Sequence, residues 1–107
     1  MAVKIGEFLG VLRNITNKLT GESYPDEDHR NKLRDRIVIG LIGMSERKQP
    51  GKQFIKIIDP APSRAYFLQT GLGELHWKKE GDQLVFESER TIWEFEIKAL
   101  KESKVVQ

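Results

Sequence analysis

The chain has no cysteine, so a disulfide framework, a thiolate metal site and a cysteine nucleophile are excluded together. It lacks any apolar run near the roughly 20 residues that cross a bilayer as a helix. Its first residues, Met1 to Glu7, carry Lys4 and Glu7 where a signal peptide would hold an uninterrupted apolar core. A cytoplasmic, reducing setting without membrane contact is the expectation. Asn14-Ile15-Thr16 fits the glycosylation sequon, which matters only in a secreted chain, and is read as chance. With 2 histidines, few side chains titrate near neutrality unaided. Charge of one sign is also missing: the net value is +2, too small to make the whole molecule a polyanion binder.

What remains suits one small globular domain. At 107 residues, folding buries about two thirds of the unfolded surface, enough for one core and too little for two. Hydrophobic residues make up 38% and charged residues 32%, a polar balance, yet the apolar positions recur periodically and a packed core is expected. No internal repeat or low-complexity segment interrupts it. The expected organisation is a single α+β domain over 1–100 with a frayed tail at 101–107.

Ile5, Phe8, Leu9, Leu12, Ile15 and Leu19 recur at spacings of three and four, which predicts an amphipathic helix closed by Thr20-Gly21. Gly6 and Gly10 each cost such a helix up to about 1 kcal/mol, and a strand over Gly10 to Ile15 is the competing reading. Asp26, after Pro25, is placed to cap a short second helix reaching about Asp35. The run from Ile37 to Met44 is almost wholly apolar and β-branched at first, which predicts a strand buried on both faces. Pro50-Gly51 marks a turn, Phe54 to Ile58 a strand ended by Pro60 and Pro62, and Ala65 to Leu68 a short strand before Gly71-Leu72-Gly73.

Beyond residue 70 the period becomes two. Leu75 and Trp77 alternate with Glu74, His76 and Lys78, and a turn at Lys79-Glu80-Gly81-Asp82 leads to Leu84 and Phe86 on the returning strand. A second reversal near Glu89-Arg90 brings in Trp93, Phe95 and Ile97. The fold class expected is therefore α+β: two helices packed on an antiparallel meander of five to six strands, as a curved sheet or small open barrel. Its core is expected to hold Phe8, Leu12, Ile39, Leu41, Ile55, Ile57, Phe67, Leu75, Trp77, Leu84, Phe86, Trp93 and Phe95.

Catalytic chemistry finds no home in this pattern, and neither a catalytic residue nor a cofactor is assigned. Asp26-Glu27-Asp28-His29 holds oxygens and an imidazole, but consecutive residues point apart and the spacing of a calcium loop is missing, so helix capping is preferred to a metal site. His76 has only Glu74 near it in sequence as an orienting carboxylate. A catalytic reading would require His76 or His29 to be brought beside carboxylates distant in the chain. Gly71-Leu72-Gly73 lacks the spacing of a phosphate loop and is read as a turn.

Two binding classes remain. Between Arg47 and Lys79 lie seven basic residues against two acids, and between Glu80 and Glu96 six acids against one base. The basic set Arg47, Lys48, Lys52, Lys56, Arg64, Lys78 and Lys79 is the candidate surface for nucleic acid, single-stranded DNA or RNA, gripping phosphates from the loop 47–52. The inward assignment of the aromatics weakens that reading, since few are left to stack on bases. The preferred expectation is a non-enzymatic binding or accessory protein acting through protein–protein contacts. The strand Thr91 to Lys98 would offer a free sheet edge to a partner or a second copy.

Overall fold

The computed structural model describes residues 2–45, 51–60, 67–78 and 82–102. Its strands are β1 (Ala2–Asn17), β2 (Ile37–Ser45), β3 (Gln53–Ile58), β4 (Phe67–Gln69), β5 (Gly73–Lys78), β6 (Gln83–Ser88) and β7 (Thr91–Glu102). They hydrogen-bond in the order β2-β1-β7-β6-β5-β3-β4, and β2 pairs with β3 as well. That extra pairing closes the sheet into a barrel. β4 and β5 lie along the same edge of β3: Leu68 is opposite Ile57 and Gly73 opposite Gln53, with Thr70 N donating to Ile55 O at 3.0 Å between them. The two strands thus form one bulged stave, and each stave is antiparallel to both neighbours.

The staves are steeply staggered. A circuit from Val3 passes Met44, Gln53, Gly73 and Ser88, crosses to Thr91 through the Ser88 hydroxyl, and returns to β1 at Asn17, its far end. Such shear tilts the strands and keeps the interior narrow enough for side chains alone to fill.

The α+β expectation is overturned, because the N-terminal segment is a strand. β1 spans Ala2–Asn17 and pairs with β2 on one side and β7 on the other. Its helical spacing has a different origin. Phe8 and Leu12 are two strand repeats apart with Gly10 between them, and the register shift between Leu12 and Asn14 adds the odd residue that brings Ile15 to the same face. All three are buried, whereas Leu19, assigned to the same stripe, is 79% exposed. Gly10 has its own reason: a Cβ there would lie 2.6 Å from the Glu96 carbonyl oxygen.

The second expected helix shrinks to a 3₁₀ turn at His29–Leu33. Asp28 caps it, accepting from Arg30 N at 2.9 Å, while the Asp26 carboxylate is taken up by Arg34. This connection folds under the barrel. Tyr24 N donates to Ile15 O at 3.1 Å, the Tyr24 hydroxyl meets Thr91 Oγ1 at 3.2 Å, and the Arg30 guanidinium stacks 4.0 Å over the Tyr24 ring. Leu33, fully buried, plugs that end.

The interior holds Phe8, Leu12, Ile15, Val38, Ile42, Ile55, Ile57, Leu68, Leu84, Phe86, Trp93, Phe95 and Ile97 around Leu33, each large apolar side chain contributing about 1.5–3 kcal/mol by leaving water. Most of the expected core is here, with corrections. On β2 the inward residues are Val38, Gly40 and Ile42, and Ile39 and Leu41 face outward, half-buried. Gly40 decides the parity, since the Phe8 ring lies where its Cβ would be, at 2.2 Å. Phe8 in turn meets Phe95 edge to face at 5.1 Å. Leu75 is only half-buried, and Trp77 is 48% exposed. Both lie where β5 has run past the last residue paired with β3, so no stave faces them on that side. The side chain of Phe67 lies outside the described residues.

Candidate functional site

The basic set expected from the sequence divides in the structure. Arg47, Lys48, Arg64 and Lys79 lie outside the described residues. Lys52 opens β3 and donates to Glu74 Oε1 at 2.8 Å. Lys56 is half-buried on the outer face of β3, and Lys78 is exposed at the end of β5. These described cations do not converge: Lys52 is engaged by Glu74, and Lys56 and Lys78 sit on different staves.

A shallow groove of about 850 Å³ does form on the outer wall, over the junction of β4 and β5 and across β6. Gly73 lines it, and its missing side chain allows the close approach to β6, since a Cβ there would fall 2.0 Å from the Glu87 carbonyl oxygen. Glu74 and Glu87 are directly opposite on β5 and β6, an arrangement of like charges that is unfavourable unless countered. Both are countered. Lys18, from the end of β1, donates to Glu87 and holds its carboxyl below the ordinary range, and Lys52 does the same for Glu74. His76 Nε2 lies 3.6 Å from Glu87 Oε1.

The structure therefore does bring His76 beside a carboxylate remote in sequence, the condition set above for a catalytic reading. The chemistry stops short of one. At 3.6 Å the contact is too long for a hydrogen bond, and Glu87 is already engaged by Lys18. Ser88, the hydroxyl on the groove wall, is buried and bonded to Thr91 O at 2.9 Å and to Thr91 N at 3.2 Å. With the cations Lys18, Lys52 and Arg90 set against Glu74, Glu87 and Glu89, the groove has no surplus charge to draw a phosphate or a cation. His29 is exposed, 3.6 Å from the capping Asp28. Among the described residues no group of three or more metal-ligating side chains assembles.

The second surface lies on the opposite wall and was not singled out from the sequence. On the outer face of β1, β2 and β3, one cross-strand row reads Leu9, Ile39, Ile58, and the neighbouring row reads Glu7, Leu41, Lys56. Val11 and Ile37 form a third, shorter row. Leu9 is 39% and Ile37 56% exposed, with Ile39, Leu41 and Ile58 half-buried beside them. The signal for it was present in the run from Ile37 to Met44, whose apolar character on both faces predicts burial on both. Within the barrel, one of those faces is only partly covered.

The free edge expected at Thr91 to Lys98 is absent, because β7 is hydrogen-bonded to β1 on one side and to β6 on the other. No helix among the described residues is long and apolar enough to cross a membrane. In comparison with known proteins, no family model, curated protein or solved structure matches the chain.

Proposed function

We propose that the protein is a non-enzymatic binding module that recognises another protein surface through the outer face of β1, β2 and β3. The observation that carries this reading is the outward row Leu9, Ile39, Ile58, with Ile37 and Leu41 on either side of it along β2. A barrel wall facing only water has no use for that row, since alternation with polar residues would satisfy the fold equally. Contiguous exposed apolar surface on a small domain is the usual mark of a contact site. The interior is packed with side chains, so the barrel is a scaffold and its outer face the working surface. The cytoplasmic setting expected from the cysteine-free composition belongs to the same proposal.

The test compares the two walls. A photo-crosslinking residue placed at Ile37 should yield protein adducts in cells expressing the chain, while the same residue at Val85, on the far wall, should yield few. Equal adducts from both positions would remove the assignment of the face. Labelled single-stranded DNA and RNA, titrated at low salt, are expected not to bind. Binding that weakens steeply with salt and on changing Lys52, Lys56 and Lys78 to alanine would install the nucleic-acid reading in its place.

A further inference from the structure

We infer that β5 takes up an added strand along its open edge: an extended segment of another protein, with apolar side chains toward Trp77 and an acidic one against Lys78. This contact lies apart from the outer face of β1, β2 and β3 and does not rest on it. Val85, on β6, is separated from the edge by the width of β5.

The backbone carries the first half of the argument. Among the described residues β5 pairs with β3 at Gly73 alone, whereas it pairs with β6 from Gly73 to Lys78. Leu75 N donates to the Gln53 side chain at 3.3 Å, so the backbone groups of Leu75 point to the β3 side. Alternation along an antiparallel strand sends those of Trp77 the same way. The Leu75 carbonyl and both backbone groups of Trp77 meet no partner among the described residues. Donors and acceptors at strand spacing are matched together by another extended chain.

Side chains carry the second half. Trp77 is 48% exposed, although it lies opposite the fully buried Leu84 and shares its face with the half-buried Leu75. An apolar side chain on the added strand extends that inner row by one stave and covers the indole. On the outer face Lys78 is exposed and has no ion-pair partner among the described residues. The acid nearest it along that face of β5, Glu74, is taken by Lys52, which leaves Lys78 for an acid from outside.

A second copy of β5 does not supply that acid. Antiparallel pairing about Trp77 sets Lys78 against His76 of the copy. Pairing about His76 sets it against Glu74, already engaged. The occupant is therefore a different, acidic segment.

An octapeptide of alternating valine and glutamate is the probe, its valines directed to the inner row and its glutamates to the outer one. Titrated into the isotope-labelled full chain, it is expected to bind with a Kd below about 1 mM, to shift the Trp77 amide and indole signals, and to slow exchange of the Trp77 amide. The same peptide methylated on its valine nitrogens should lose binding, because residues opposite Leu75 and Trp77 share their hydrogen bonds. Lys78→Glu, at an exposed position, should leave the circular dichroism spectrum unchanged, weaken the glutamate peptide about fivefold or more, and favour an alternating valine–lysine peptide instead. No change at Trp77 with about 1 mM peptide would overturn the inference, as would binding that survives methylation or is indifferent to Lys78→Glu. Shifts confined to Ile37, Ile39 and Leu41 would reject the edge and leave the outer face standing. Shifts at Trp77 without selective crosslinking at Ile37 would reject the face and leave the edge.

Discussion

Gly40 is the residue on which the inside and outside of the barrel turn. Its missing side chain admits the Phe8 ring, which then reaches Phe95 across the core. Gly40→Ala should therefore cost about 1–3 kcal/mol as an overpacked core, read as a lower urea midpoint with little change in slope. Phe8→Leu in the same chain should recover part of that loss by vacating the contested space. At the surface, the carboxyls of Glu74 and Glu87 are held down chiefly by hydrogen bonds from Lys52 and Lys18. A carboxyl lowered in the folded state stabilises it above the unfolded value, and the contribution fades as pH falls through the folded value. Carboxyl titration by NMR should accordingly show both groups titrating below the ordinary glutamate range. Lys52→Ala should raise Glu74 alone and Lys18→Ala should raise Glu87.

Among the elements, the strands after residue 70 were legible because each alternates apolar with polar residues against a half-wet wall. β6 and β7 read directly as Leu84, Phe86, Trp93 and Phe95 inward. β1 was not legible, because a glycine at one inward position and an extra residue at Arg13 convert a spacing of two into the four-then-three pattern of a helix. β2 was legible as a strand but not in its parity, since alternation carries no information when both faces are apolar. The ends of strands failed for a third reason: alternation says which way a side chain points and not whether anything faces it there. Trp77 shares the inward sense of Leu75 yet is half open, while Trp93, in mid-strand on β7, is 4% exposed. Acrylamide should therefore quench one tryptophan population readily and the other poorly. Trp77→Phe should abolish the accessible one, and two equally shielded indoles would contradict the open end of β5.

For the whole molecule, the candidate site was half legible for a related reason. Composition located the basic residues but not their partners, and Lys18 and Lys52 meet acids far away in the chain. The outer apolar face was written in β2 from the start, but only the closed topology shows which of its two faces the barrel leaves partly open. The pairing of β7 on both sides is thus the premise of the functional account, because a strand free on one side there would present an edge and a strand paired on both sides presents only a face. Amide hydrogen exchange along β7 tests it most directly. If β7 is bonded to β1 and β6 at once, consecutive amides from Ile92 to Glu96 should all be strongly protected, with no alternation. Fast exchange at every second one of those amides would show a free edge, and the closed barrel together with the face built upon it would have to be abandoned.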